Sequence, residues 1–279
     1  MTIGAFVTIT NPIRRQDKYL ECISCLRDLC DDVVVVDGGS TDGSLEKIKG
    51  YRIVHENWPH EWNWVELPRH LNMGLDALDT DWILKFDVDQ FISKTEFSNL
   101  KEELKLCPED INVVEIQQMN TIYGKRFHLK TGKRIILRGS AKDKIQFGEM
   151  IGKYTDLCQL VEVNGHKIVD GYKLPIGHKP NKHRTGIRFW NYPYFFKTKE
   201  PALEELMRFS RAHYRYFGKH TWGTTKEQAL KTFLEYMAER YKIASKYSYM
   251  FRDHPEYIRK EVENLKPEQF GYSGWGLLK

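Results

Sequence analysis

The sequence contains no long apolar run, and this absence narrows the classes of protein it can encode. A membrane-spanning helix needs roughly 20 consecutive apolar residues, and no segment of the 279 residues approaches that length. No basic and apolar leader opens the chain, so we expect a mature protein that begins at Met1 in the cytoplasm. Internal repeats and low-complexity segments are also missing, which argues against a repeat protein or a disordered linker.

Cysteine is scarce as well. Five cysteines, an odd number scattered over a long chain, do not form the dense disulfide framework of a small secreted domain. Cys22 and Cys25 make a C-x-x-C pair, a spacing that also occurs in redox and metal sites. With Leu26, Leu29 and Cys30 they recur every three to four residues. We therefore interpret them as the apolar stripe of one helix, where a free cysteine behaves as a small hydrophobic residue.

The charges are distributed unevenly along the chain. Residues 1–120 contain 22 acidic and 12 basic residues, whereas residues 121–200 contain 6 acidic and 17 basic residues. An acidic first part that attracts a cation, followed by a basic second part, suits an anionic substrate bound between them. A basic middle part is equally typical of a protein that binds RNA or an anionic membrane surface. Charge alone therefore leaves these classes open.

Strand-like and helix-like segments alternate in the first hundred residues. This alternation predicts an α/β fold, with a mostly parallel sheet, right-handed crossovers and helices on both faces. Four consecutive valines in the second strand are typical of a strand buried on both faces. The predicted strands are residues 3–10, 32–37, 52–55 and 82–86, and the predicted helices are residues 17–29, 45–49 and 68–78.

The remainder of the chain divides into a strand-rich part and a helical part. A helix over 94–106 is followed by two predicted strands, 112–123 and 134–138, joined by a basic segment that we interpret as a solvated hairpin. We expect a nucleotide-binding part over about 1–110, an acceptor part over about 111–190 and a helical C-terminal extension over 191–279. The helices of the extension are predicted at 202–217, 225–247 and 254–265.

The first two helices of this extension are rich in aromatic residues with Lys and Arg interleaved. Such a surface is compatible with peripheral contact to the inner face of a membrane, near a lipid-linked acceptor. Packing within the extension, or a homodimer contact, explains the same pattern.

Two carboxylates, Asp87 and Asp89, follow the fourth predicted strand. In an extended chain, residues i and i+2 lie about 6–7 Å apart on one side, so both can face one cation only if the chain turns there. Ligands of open α/β sheets bind outside the carboxyl ends of the strands. The pair therefore predicts a divalent metal held together with a substrate diphosphate. The alternative is a solvated loop whose aspartates cap a helix that starts near Ser93.

Another carboxylate, Asp37, ends the second predicted strand and opens a turn rich in Gly and Asp. The turn has no G-K-[ST] and no G-x-G-x-x-G, and Gly39 stands where a calcium-binding loop needs Asp or Asn. A carboxylate at this strand end can accept the imide N–H of a uracil or a ribose hydroxyl. It is also a residue type that simply forms turns.

Three motifs in order, VVVDGGSTDGS (34–44), RHLNMG (69–74) and DWILKFDVD (81–89), resemble glycosyltransferase family 2, inverting enzymes of GT-A fold that use nucleotide sugars. The resemblance covers about residues 1–95, and it is closest to a branch similar to lipopolysaccharide-core glucosyltransferases. It implies that Asp37 contacts the nucleotide base, and that Asp87 and Asp89 hold the ribose and the metal diphosphate. It also places Gly39, Arg69 and Asn72 in the nucleotide site.

The resemblance further implies where the catalytic base lies. Residues 154–169 match the family's order of loop, Asp at a helix start, short helix, Gly and strand. By that match Asp156 is the general base that accepts the proton of the acceptor hydroxyl. Glu149 is the second choice and Asp143 the third. An Asp at a helix start is also an ordinary N-cap.

A metal ligand is implied further along the chain. GT-A enzymes often complete the metal shell with a His after the sheet, and His178 is the best match in a basic loop that contains two His. Mn²⁺ or Mg²⁺ fits a site rich in oxygen ligands. A surface His without a metal is the alternative.

The sequence therefore predicts an inverting, metal-dependent glycosyltransferase. It would move a sugar from a nucleoside-diphosphate sugar, UDP-linked by preference, to a hydroxyl of a glycan or lipid-linked acceptor, without a nucleic-acid partner. A nucleotidyltransferase is the enzymatic alternative, but the loop after the first strand carries Arg14 and Arg15 and no Gly. An RNA-binding protein and an inactive sugar-binding relative are the alternatives outside catalysis.

Overall fold

A computed structural model of the chain describes residues 1–58, 66–123, 126–148, 159–163, 166–170, 182–244 and 253–277. The strands are β1 (Ile3–Ile9), β2 (Asp32–Asp37), β3 (Arg52–His55), β4 (Trp82–Phe86), β5 (Gln90–Phe91), β6 (Val113–Thr121), β7 (Phe127–Arg138), β8 (Ile145–Gly148), β9 (Gln159–Val163), β10 (His166–Asp170) and β11 (Lys182–Asn191). The helices are α1 (Tyr19–Leu29), α2 (Glu66–Asp76), α3 (Lys94–Lys105), α4 (Lys199–Phe217), α5 (Lys226–Ala244), α6 (Glu256–Glu263) and α7 (Phe270–Ser273).

Eight strands form one mixed sheet in the order β3-β2-β1-β4-β7-β6-β11-β5. The β3-β2-β1-β4 half is parallel throughout, and β7 and β5 are the two antiparallel strands of the other half. The remaining strands form a small antiparallel sheet, β10-β9-β8. The predicted α/β fold with a mostly parallel sheet is therefore confirmed.

Both faces of the large sheet are covered, as its apolar strands require. Val34 and Val36 of β2 pack in one core with α2, whereas Val33 and Val35 pack in the other core with α1, α3 and α6. The cysteines of α1 lie in this second core, so the stripe predicted from their spacing is the buried face of the helix. On the opposite face α2 lies so close to β1 that a Cβ on Gly74 would meet the Phe6 ring at 2.4 Å.

The basic segment between the two middle strands differs from its prediction. We expected residues 124–133 to be a solvated hairpin connection, but β7 already begins at Phe127 and continues to Arg138. Its register runs from Phe127 opposite Thr121 to Leu137 opposite Val113. This ladder pairs β6 from Val113 to Thr121, with one register shift between Ile116 and Gln118. The backbone groups of β6 need such partners, and the basic composition of the segment did not indicate that it supplies them.

The C-terminal helices pack against the sheet domain. Helix α6 contacts α1, and Ile258 of α6 is fully buried in the core beneath the sheet. Helices α4, α5 and α7 share a third core around Phe233 and Phe270. No helix in the described parts of the chain is both long and apolar enough to span a bilayer.

Candidate functional site

The carboxyl ends of β1, β2 and β4 meet at one edge of the sheet. From β1 the chain proceeds to β2 and β3 on one side and later returns to β4 on the other, so the strand order reverses at β1. Ligands of open α/β sheets bind at such a reversal. Asp37 ends β2 and Asp87 directly follows β4. Because two strand spacings separate β2 from β4, these acids stand about 10 Å apart across the end of β1.

The chain turns at the acidic pair, as its proposed role requires. Val88 and Asp89 occupy a turn in which the Gln90 N–H donates to the Asp87 carbonyl at 3.0 Å. The side chain of Gln90 closes the turn, because its Oε1 accepts from the Asp87 N–H at 2.9 Å and its Nε2 donates to the Asp87 carboxylate at 2.8 Å. Gln90 thus fixes the conformation of the turn from a fully buried position.

Helix α1 supports this turn from below through its two buried thiols. The Cys22 Sγ donates to the Asp87 carbonyl at 3.5 Å, and the Cys25 Sγ donates to the Ile92 carbonyl at 3.4 Å. Burial raises the pKa of Cys25 to about 12 and raises that of Cys22 as well. The C-x-x-C pair is therefore a protonated, packed pair that holds the backbone near Asp87, since a reactive cysteine needs a lowered pKa.

The two acids of the turn have different surroundings. The Asp87 carboxylate lies 2.9 Å from the Nζ of Lys85, a buried lysine of β4. For Asp89, the amide of Asn191, oriented so that its nitrogen faces the acid, donates at 3.1 Å. Asp87 thus has the Lys85 ammonium beside it, and Asp89 lies within electrostatic range of the Arg15 guanidinium. Both carboxylates offer the oxygen ligands that hard divalent cations prefer.

Asp89 also lines a narrow cleft. The cleft lies between the loop after β1 (Gln16, Asp17 and Lys18), the segment Asp89–Phe91 and the segment that follows β11 (Tyr192, Phe196 and Lys197). The Asp89 carbonyl accepts from the Tyr192 N–H at 2.9 Å, which holds one wall against the other.

A cluster of buried charges forms the back of this cleft. The Nζ of Lys197 donates to Asp17 at 2.6 Å, to Glu205 at 2.8 Å and to the carbonyl of Arg15 at 2.8 Å. Although burial acts in the opposite direction, Lys197, Arg15 and Arg208 lower the pKa of Glu205 to about 2. The cluster joins the loop after β1 to helix α4, and it keeps the Glu205 carboxylate ionised.

Asp37 is fully buried, and its oxygens are occupied by its own turn. They accept from the Gly39 N–H at 3.0 Å and from the Ser40 hydroxyl at 2.5 Å, and the Nδ1 of His55 lies 2.7 Å away. Gly39 adopts a φ of +93°, a conformation that favours glycine. Asp37 therefore orders the turn as it stands, and its predicted contact with a nucleobase requires it to release one of these partners.

An aromatic side chain covers the same turn. The indole of Trp58 hydrogen-bonds the Thr10 hydroxyl at the end of β1, and its ring stacks on His70 with centroids 3.8 Å apart. A Cβ on Gly38 would lie within 2.0 Å of the indole. Glycine at position 38 therefore makes room for Trp58.

The two α2 residues predicted in the nucleotide site have protein partners. Arg69 is ion-paired with Glu56 and, at 3.3 Å, with Glu66. The amide of Asn72 donates to the Phe147 carbonyl at 2.9 Å and accepts from the Phe147 N–H at 2.8 Å. Asn72 therefore ties α2 to β8.

The predicted base and the third metal ligand cannot be placed. Asp156, Glu149 and His178 lie outside the described residues, and Asp143 is exposed in a short 3₁₀ helix, Gly139–Lys144. Within the described ranges no three His, Cys, Asp or Glu side chains converge as a metal site.

Sequence reasoning missed the residues that build the turn and the cleft. Lys85 carried a usable signal, because a charged residue inside an otherwise apolar strand needs a partner nearby. Gln90 follows the two acids directly, but nothing in the local sequence indicates that its side chain closes the turn. Asn191, Tyr192 and Lys197 had no local signal, since their contacts with the turn and with the loop after β1 span about a hundred residues or more.

The strand order, the covered sheet and the acids at its carboxyl edge define a GT-A type α/β protein. The model of the family described as glycosyl transferase family 2 matches residues 13–159, more than half of the chain. The chain belongs to that family.

Solved structures with partial similarity were also found. Glucosyl-3-phosphoglycerate synthase from Mycobacterium tuberculosis, in complex with Mn²⁺, UDP and phosphoglyceric acid, is 23% identical over 42% of this chain and 43% of its own, with a TM-score of 0.33. A structure described as a mycobacterial protein is 20% identical over 43% of this chain and 41% of its own, also with a TM-score of 0.33. The chain thus aligns with less than half the length of these structures. Comparison with curated proteins found no match.

Proposed function

We propose that this protein is an inverting, metal-dependent glycosyltransferase. Its donor would be a nucleoside-diphosphate sugar, UDP-linked by preference, and its acceptor a hydroxyl of a glycan or a lipid-linked glycan. The observation that carries the proposal is the position of Asp89. This residue lies in the turn closed by Gln90, at the sheet edge where the strand order reverses, and it lines a cleft in a family 2 chain. Membership of the branch similar to lipopolysaccharide-core glucosyltransferases belongs to the same proposal.

The two acids of the turn would have different roles in binding the donor. Asp89 would hold Mn²⁺ or Mg²⁺, and His178 would complete the shell. When bound, the cation would stabilise the negative charge of the departing nucleoside diphosphate. Asp87, whose charge is offset by Lys85, would hydrogen-bond the ribose. Asp37 and Gly39 would shape the base pocket, with Arg69 and Asn72 on its α2 side.

In the reaction, the acceptor oxygen would form a bond to the anomeric carbon while the bond from that carbon to the diphosphate breaks. Asp156 would accept the proton of the acceptor hydroxyl, with Glu149 as the second choice. The nucleotide part would cover about 1–110 and the acceptor part about 111–190. The extension over 191–279 would support the cleft through Lys197 and Glu205.

Ligand-linked stabilisation tests the proposal without knowledge of the acceptor. With UDP and Mn²⁺ together at a hundred times the dissociation constant, folding should gain about 2.7 kcal/mol, which for a chain of this size raises Tm by roughly 5 °C. A thermal-shift panel of nucleoside diphosphates with and without Mn²⁺ measures this gain. Equal stabilisation by UDP with and without the metal, or no response to any nucleotide, would contradict the proposal.

A further inference from the structure

The C-terminal segment that contains His254 and Glu256, at the start of α6, contacts residues on both sides of the chain that follows Asp89. Asp89 is followed by β5 and then by the start of α3 at Lys94. His254 contacts Tyr192, the residue whose N–H binds the Asp89 carbonyl, and Glu256 contacts the start of α3. One short segment, about 165 residues away in sequence, thus touches both flanks of the connection that leads from Asp89 into α3.

His254 is buried inside an aromatic cluster. Its ring centroid lies 5.0 Å from that of Trp190 and 5.8 Å from that of Tyr192. Its Nδ1 lies 2.7 Å from the Tyr192 hydroxyl. Burial lowers the pKa of His254 to about 4, so the imidazole is neutral at pH 7. A satisfied polar pair within a ring cluster fixes one orientation of both side chains.

Tyr192 transmits this constraint to the acidic turn. Its N–H donates to the Asp89 carbonyl at 2.9 Å, and its ring meets Phe91 edge to face with centroids 5.6 Å apart. The preceding residue, Asn191, pairs with Gln90 in the antiparallel ladder between β11 and β5. Tyr192 and its neighbour Asn191 therefore connect His254 to the segment Asp89–Phe91.

The other flank is held by Glu256. Its carboxylate accepts from the Ser93 hydroxyl at 3.0 Å and from the Lys94 N–H at 3.0 Å, so it caps α3 from outside that helix. Glu256 thus joins the segment to the start of α3. The neighbouring Tyr257 hydroxyl donates to Asp28 of α1 at 2.7 Å, a hydrogen bond that involves neither Tyr192 nor Asp89.

We propose that His254 and Tyr192 are positioning residues for the metal site, which hold Asp89 towards the cleft through the Tyr192 backbone. The proposal rests on the proposed function, in which Asp89 binds the cation. Neither residue touches substrate or metal. Their effect would be on metal affinity, because residues that orient a ligand typically change affinity or activity by 10- to 100-fold.

Tyr192→Phe tests the proposal, and Tyr257→Phe is the matched control. Each substitution removes one tyrosine hydroxyl whose hydrogen bond joins the C-terminal segment to the rest of the protein, Tyr192 to His254 and Tyr257 to Asp28. Mn²⁺ binding in the presence of UDP is measured by the electron paramagnetic resonance signal of free Mn²⁺, which reports affinity without turnover. We expect the dissociation constant to rise about tenfold for Tyr192→Phe and to stay within twofold of wild type for Tyr257→Phe. Should Tyr192→Phe fold poorly, Tyr192→Phe with His254→Phe leaves no unpaired polar group there, and we expect the same rise.

The outcomes separate the two proposals. If wild type binds Mn²⁺ and Asp89→Asn does not, the proposed function stands, and the Tyr192 variants then decide the positioning role. Unchanged affinity in them, or an equal loss in Tyr257→Phe, would overturn it. If wild type and Asp89→Asn bind Mn²⁺ alike, the metal role of Asp89 is wrong, and the positioning proposal falls with it.

Discussion

Asp89→Asn is expected to reduce metal-dependent turnover of the nucleotide sugar by about a thousandfold or more. Asn keeps the size of the side chain and its place in the turn, but it removes the charge that binds the cation. A bound cation stabilises the charge that develops on the leaving group in the transition state by several kcal/mol. A loss of about 4 kcal/mol corresponds to a thousandfold lower rate. Release of UDP from UDP-glucose and related donors, in the presence of Mn²⁺, measures the loss.

Asp79→Asn is the control for this substitution. Asp79 is exposed in the loop that precedes β4, at the opposite end of the same strand, so its replacement should leave turnover within about twofold of wild type. If turnover by Asp89→Asn stays metal-dependent and near the wild-type rate, the proposed role of Asp89 in binding the cation is contradicted. A uniform loss in both variants would point to folding instead.

Lys197→Met is expected to lower the free energy of unfolding by about 3 kcal/mol, because it removes two charged hydrogen bonds worth about 1.5–3 kcal/mol each, while Arg15 still pairs with both carboxylates. Lys197 is 8% exposed, and its two carboxylate partners, Asp17 and Glu205, are 5% and 10% exposed. Met preserves the length of the side chain, so the loss would reflect charge and hydrogen bonds. Urea unfolding followed by tryptophan fluorescence measures it.

The control is Lys226→Met, which removes an exposed lysine paired with Glu200 of α4. Exposed ion pairs contribute little because water screens them, so the unfolding midpoint should hardly move. Equal effects of the two substitutions would show that the Lys197 cluster contributes no more than a surface pair.

The cluster also makes a prediction about pH. The pKa of Glu205 is lowered from 4.5 to about 2 in the folded protein. A carboxyl with a lowered pKa contributes stability that is fully present above pH 4.5 and is lost as pH falls towards about 2. Because Lys197 is the largest cause of the lowering, Lys197→Met should lose less stability than wild type over this range.

The sequence was informative where local pattern decides structure. β2, β3 and β4 begin and end at the predicted residues, because short runs rich in β-branched and aromatic residues bounded by turn residues leave few alternatives. The turn at Asp87 and Asp89 follows from two acids at a strand end. The Gly-rich turn after β2 was predicted, but the burial of Asp37 within it was not, since it depends on His55 from a neighbouring strand.

Long-range contacts account for what was missed. His254 and Tyr192 are 62 residues apart, and Lys197 and Asp17 are 180 residues apart. Nothing in the local spacing of these residues indicates a partner. Of the explanations given for the aromatic residues of the extension, internal packing fits Phe233, which lies inside a core that the extension itself forms. Asp156, Glu149 and His178 stay predictions.

The most direct test of the metal role is a crystal structure with UDP and Mn²⁺, in which the anomalous signal of manganese locates the ion. We expect the peak in the cleft beside Tyr192, about 2.1 Å from a carboxylate oxygen of Asp89 and in contact with the diphosphate. A nucleotide bound at another edge of the sheet, or an ion that does not touch Asp89, would contradict it.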